Sequence, residues 1–169
     1  IDAGSTLLRL KGNSPVIDAG IVSTVTKDIL GNARSQGIAP DMGAYERSKG
    51  IEIIRSFPSD NQYVIGEFTK FYFIFNESVS KNTGFISLYD YNTGLLVHQW
   101  DVASADVTVS SDSVYFTSPS AISYGRYYFI IDNGTFTGNT SGYQYIGTSE
   151  KDEFNFGVYH SILYVKNDA

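Results

Sequence analysis

Residues 124–133 read Tyr-Gly-Arg-Tyr-Tyr-Phe-Ile-Ile-Asp-Asn, a β-branched and aromatic run set between a glycine and an Asp-Asn-Gly turn. An apolar run of this length bounded by turn residues is the pattern of a strand buried on both faces in the middle of a sandwich. Within it Tyr127, Phe129 and Ile131 alternate, and the same period of two recurs at Phe71, Phe73 and Phe75 and at Ile86 and Leu88. A period of two puts each set on one side of a strand. Aromatic residues at 15 % with charged residues at only 18 % agree, because pleated surfaces accept rings and helices favour long charged side chains.

From Ile51 onward strand patterns recur about every 8 to 12 residues with turn signals between them, the rhythm of an all-β sandwich. Strands are expected at 51–57, 62–66, 69–76, 84–90, 94–100, 105–110, 113–117, 125–132 and 153–160. Asn92-Thr93-Gly94 suits a hairpin turn, since Asn and Gly tolerate positive φ. The Gly-rich stretch from Gly134 to Gly147 reads as a long crossover loop before the last strand, which makes 125–132 the penultimate strand.

Residues 1–47 have a different texture, with short apolar patches (Leu7, Leu8, Leu10; Val16, Ile17; Met42, Ala44, Tyr45) separated by Gly, Asn, Ser and Pro. Asp2-Ala3-Gly4 recurs as Asp18-Ala19-Gly20, each copy preceded by Ile. Ser14 to Gly20 (SPVIDAG), Asp28 to Arg34 (DILGNAR) and Asp41 to Glu46 (DMGAYE) together resemble the last coil of bacterial right-handed parallel β-helix surface proteins, whose final rungs carry SPAIDAG and DIGAYE signatures. A solenoid rung cannot bury its apolar face alone and needs about three neighbours. Residues 1–47 are therefore expected to stack on upstream sequence, and the chain, which begins with Ile, to be a fragment.

The remainder resembles the bacterial Ig-like domain first described in S-layer proteins. The resemblance rests on Phe57 to Asn61 (FPSDN), Phe73 to Val79 (FIFNESV), Gly84 to Leu88, the 125–132 strand ahead of a Gly-rich loop, and Phe154-Asn155-Phe156 as the closing strand. The domain plan is then a terminal β-helix coil at 1–47, a linker at 48–50, an Ig-like β-sandwich at 51–158 and a tail or further segment at 159–169. Tyr127 stands where a tyrosine braces the corner of such sandwiches.

The net charge of −6 and a pI near 4.7 exclude a nucleic-acid role, which needs a basic footprint to displace counterions. With no Cys, disulfides, thiolate metal sites and cysteine nucleophiles fall away together. No apolar run approaches the roughly 18 residues of a membrane-spanning helix. The two histidines, His98 and His160, share no metal-binding spacing, and no serine lies in a nucleophile elbow. Asp101 with Asp106, or Asp152 with Glu153, read more simply as solvated carboxylates than as a glycosidase pair.

A few residues could carry chemistry. Asp132, Asn133 and Asn139, with Glu150, offer oxygen ligands for Ca²⁺, against the simpler reading of Asx turn bonding. The resembled domain often has Asp where this chain has Gly138, which weakens the calcium reading. Trp100, Tyr89 and Tyr91 could stack on sugar rings, against the simpler reading as core or rim. Asn76, Asn133 and Asn139 begin Asn-x-Ser/Thr triplets, which are glycosylation sites only in a eukaryotic source.

The resemblances imply a non-catalytic structural module of a secreted or cell-surface protein, capping or extending a β-helix stalk in adhesion, fibre or envelope assembly. Its partners would be the upstream β-helix of the same polypeptide and neighbouring fibre subunits or a surface glycan, with no cofactor. Two alternatives are an accessory C-terminal region of a β-helix polysaccharide lyase or other glycan-active enzyme, and a carbohydrate- or protein-binding Ig-like module.

Overall fold

The nine expected segments become strands, and two further strands of three residues each make eleven among the described residues. A computed structural model describes residues 10, 14–29, 31, 33–34, 39–47 and 50–160. The first Asp-Ala-Gly copy, Leu7, Leu8, the 48–49 part of the linker and the segment 161–169 lie outside the described residues. The strands are β1 (Ile53–Phe57), β2 (Gln62–Ile65), β3 (Phe68–Phe75), β4 (Val79–Lys81), β5 (Phe85–Asp90), β6 (Leu96–Asp101), β7 (Val107–Ser110), β8 (Ser113–Ile122), β9 (Gly125–Ile131), β10 (Phe136–Gly138) and β11 (Asn155–Tyr159). No helix occurs among the described residues.

Two sheets face each other. One has four strands in the order β1-β3-β8-β7, the other five in the order β2-β11-β9-β5-β6, and β10 with β4 forms a two-stranded ribbon. All pairings are antiparallel except β11 with β2, where Phe156 lies beside Gln62 and Tyr159 beside Ile65. The turn between β1 and β2, through a cis Phe57–Pro58 bond, moves the chain from one sheet to the other. The β5–β6 hairpin turns at Gly94 (φ 69°), where the Asp90 carboxylate accepts hydrogen bonds from the amides of Asn92 and Thr93.

The core is aromatic because the period-two faces of both sheets point inward. Phe71 and Phe73 of β3 and Phe116 of β8 meet Phe129 of β9, with Phe71 stacked on Phe116 at 5.2 Å between centroids and edge-on to Phe129 at 5.6 Å. Phe154 and Phe156 close on Phe129 from the β11 side. A second cluster, Phe75 with Phe136 and Tyr145, packs beneath the β4–β10 ribbon. Tyr127 donates to the carbonyl of Ser123 at 3.3 Å, tying the start of β9 to the turn before it as a corner tyrosine does.

Three expectations change. β9 is central but buried on one face only: Tyr127, Phe129 and Ile131 are inside, whereas Arg126, Tyr128 and Ile130 are half-buried on the outer face and Tyr124 is exposed. The reason is that the sheet it belongs to is packed on one side alone. The stretch from Gly134 to Gly147 is not a plain crossover loop, because Phe136–Gly138 pairs with Val79–Lys81. β9 is accordingly followed by two strands, not one. Strands of three residues carry too few positions for a period to show.

The described residues of 14–47 contain no strand, only an isolated bridge between Lys27 and Ala33. They are held by polar side chains. Asp41 accepts from the amides of Asp18 (2.8 Å) and Arg47 (2.6 Å), Glu46 from the amide of Asp41 (3.0 Å), and Asp28 from the amide of Glu46 (3.1 Å). Arg34 donates to the carbonyls of Asp41 and Gly43. The acidic residues of the three motifs are thus a hydrogen-bond frame for a segment whose apolar side chains Ile21, Val22, Val25, Ile29 and Met42 stay exposed, and Asp28, Asp41 and Glu46 are buried in that role.

Candidate functional site

The motif segment and the sandwich meet at a cleft of about 350 Å³ lined by Asp18, Asp41, Arg47, Glu52, Glu77 and Tyr143, among others. Arg47 pairs with Glu52 across it. The amide of Glu52 donates to Asn76 Oδ1 at 3.0 Å, and Ile51 bridges Tyr145 in parallel. Gly50 sits so close to the 144–146 backbone that a Cβ there would come within 2.8 Å of the Gln144 carbonyl oxygen and the Ile146 side chain. The expected linker therefore ends pressed against the sandwich.

Glu77 reaches from the β3–β4 turn into the loop after β10. Its Oε2 accepts from the amides of Thr140 (2.8 Å) and Ser141 (2.9 Å), and these bonds, those from Ser141 foremost, hold its carboxyl below the ordinary value of 4.5. A Cβ on Gly138 would lie 2.6 Å from the Glu77 carboxylate and from Ile51 Cγ2. Only glycine fits at 138, because the space a side chain would need is filled by the Glu77 carboxylate from the β3–β4 turn.

The proposed calcium ligands are occupied locally and separately. Asp132 Oδ2 accepts from the amide of Phe85 at 2.9 Å, and Asn139 Oδ1 from the Ser80 hydroxyl at 2.7 Å, while Asn133 is exposed in the turn after β9. Among the described residues no group of three or more His, Asp and Glu side chains is arranged to hold a metal ion. His98 packs on Trp100 and His160 stacks on Tyr124, on different elements. Of the glycosylation triplets, those at Asn76 and Asn139 start on exposed residues, and the one at Asn133 has its Thr135 fully buried.

The sugar-stacking expectation divides. Trp100 is wrong as a surface residue: it is 2 % exposed, packs on Phe71 and Phe116, and its Nε1 donates to the Thr117 carbonyl at 2.9 Å. It lies on the inward face of β6, where a large ring closes the open corner between the sheets. Tyr89 and Tyr91 are half-buried on the outer face of the five-stranded sheet beside Tyr128, at 5.2 and 6.1 Å between centroids. The Arg126 guanidinium lies 3.7 Å from the Tyr91 ring centroid and the Lys151 ammonium 4.6 Å from it. Tyr91 donates to Asp152 Oδ1 at 2.5 Å, and that bond leads the causes that push its phenol upward. Sequence reasoning missed Tyr63, Tyr124 and Tyr159, which extend the same face; the available signal was Gly157, alone in a closing strand of bulky residues.

No family model and no curated protein matches the chain. Among solved structures it is similar to CopC from Methylosinus trichosporium OB3b, at 19 % identity over 68 % of this chain and 99 % of that one, with a TM-score of 0.49.

Proposed function

We propose that the chain is a non-catalytic structural module of a secreted or cell-surface protein, in which an Ig-like sandwich caps or extends a β-helix stalk whose last coil is residues 1–47. The junction supports this reading. Arg47 of the motif segment pairs with Glu52 at the start of the sandwich, and Gly50 and Ile51, which lead into it, lie against residues 144–146. A module that ends a stalk must transmit position, and contacts of this kind favour that role. The open end of a solenoid exposes unpaired backbone and apolar rung faces that promote end-to-end pairing unless covered.

The buried carboxylates of the motif segment fit the same role, since their oxygens are taken up by backbone amides and serve the frame. The secreted or surface location follows from the two resemblances and belongs to the same proposal. The test deletes residues 51–158 from the protein and follows it by sedimentation velocity. Self-association of the shortened protein, against a monodisperse parent, is the expected result. A shortened protein that stays monodisperse overturns the capping role.

A further inference from the structure

The outer face of the five-stranded sheet is unusual for a solvent face, which normally alternates to polar residues. Register places three rows towards its β2–β11 end, next to the more polar row of Ile130, Ser87 and Gln99. Ile65 and Tyr159 are neighbours with Tyr124 packed on Tyr159; Tyr63, Gly157 and Arg126 follow in line with Tyr91 beyond; Asn155, Tyr128 and Tyr89 make the third. Tyr63 is 66 % exposed, Tyr124 62 % and Tyr159 46 %.

Gly157 shapes the surface. A Cβ there would lie 2.8 Å from Cδ1 of Tyr63 and 3.1 Å from Cε2 of Tyr159. The two rings, 5.2 Å apart at 62°, lie over the glycine on the sheet, and both remain exposed. Arg126 is held in orientation beside them, with its guanidinium over Tyr91 and Nη2 donating to Asn155 Oδ1 at 2.9 Å. Tyrosine rings offer an apolar face with a hydroxyl at the rim, which matches a pyranose ring, whose C–H face is apolar and whose edge is hydroxylated.

Charge selects among partners. In a chain of net charge −6, two cations, Arg126 and Lys151, converge on the Tyr91 ring, whose hydroxyl donates to the single carboxylate of Asp152. A guanidinium fork on an aromatic floor is suited to a carboxylate. A two-fold contact with a second copy, centred here, would set these cations against their own images. We propose that this face is a binding platform for an acidic polysaccharide, with Tyr63 and Tyr159 stacking on its pyranose rings and Arg126 and Lys151 receiving uronate carboxylates. The assignment is independent of the stalk reading, since it uses only the sandwich.

The test is calorimetric titration of the protein with polygalacturonate and alginate oligosaccharides, with dextran oligosaccharides as the neutral comparison. Expected are binding of an acidic glycan and none of dextran, weakening of about tenfold or more in each of Tyr63→Ala, Tyr159→Ala and Arg126→Gln, and no change in Tyr115→Ala, an exposed tyrosine of the other sheet. Thermal melts of each variant confirm that it is folded. Binding of neither acidic glycan overturns the proposal. So does binding that survives both tyrosine substitutions, binding that Tyr115→Ala weakens equally, or a preference for dextran.

Discussion

Single side chains show where packing leaves no latitude. Gly138→Ala would drive a Cβ into Glu77 and Ile51, and it is expected to cost about 1–3 kcal/mol, the usual range for overpacking. Gly138→Asp should melt lower still, because it sets a second carboxylate against Glu77. Calcium should not restore it in calorimetry, and a calcium-dependent rise in the melting temperature would revive the metal reading. Thr135 carries the opposite opportunity: its Oγ1 is buried with no hydrogen-bond partner among the described residues. An unsatisfied buried hydroxyl costs about 1–3 kcal/mol, so Thr135→Val should raise the melting temperature, whereas Thr135→Ser keeps the hydroxyl and loses the methyl. Tyr127→Phe removes only the bond to Ser123 and is expected to lose about 1 kcal/mol in chemical denaturation.

At the scale of elements, the β4–β10 ribbon depends on Glu77 for the loop that follows it. The Glu77 carboxyl sits below its ordinary value of 4.5 in the folded chain because Ser141 and Thr140 donate to it. A depressed folded value means that the stabilisation is complete above the unfolded value and fades as pH falls through the folded one. The stability gap between the parent and Glu77→Gln should therefore be constant at neutral pH and shrink below pH 4.5. A gap that stays constant well below pH 4.5 would show that the charge of Glu77 is not what holds the loop. The ribbon was invisible in the sequence, since Val79–Lys81 and Phe136–Gly138 are each too short to display a period and are joined by contacts far apart along the chain. The longer strands were legible because Phe71, Phe73 and Phe75, or Tyr127, Phe129 and Ile131, repeat the same side three times.

For the whole molecule, every buried hydrophobic side chain among the described residues lies between Ile51 and Val158. The motif segment adds a polar frame and no apolar core. A chain starting at Gly50 should consequently unfold in one cooperative transition, with a denaturant m-value close to that of the full chain, since m follows the surface exposed on unfolding. A large fall in m would show that residues 1–47 belong to the same cooperative unit. The site was less legible than the fold. Trp100, Tyr89 and Tyr91 looked alike as aromatic residues near a hairpin, yet Trp100 went inside and the tyrosines outside. Strand parity separates them, and it was obscured by the irregularity between Leu88 and Tyr89 in the β5–β6 pairing.

The sequence alone determined the all-β class, most strand positions, the turn at Gly94 and the inward face of β3, because these depend on local φ preferences and on a period of two. The tertiary structure decided what depends on pairing across the chain: that β2 joins β11 in parallel, that Glu77 fills the space opposite Gly138, and that Gly157 lies beneath two tyrosine rings. Residues 124–133 show the division best. Their inward side was readable from alternation, but whether the outer side met protein or solvent depended on a second layer, and none of the described residues supplies one.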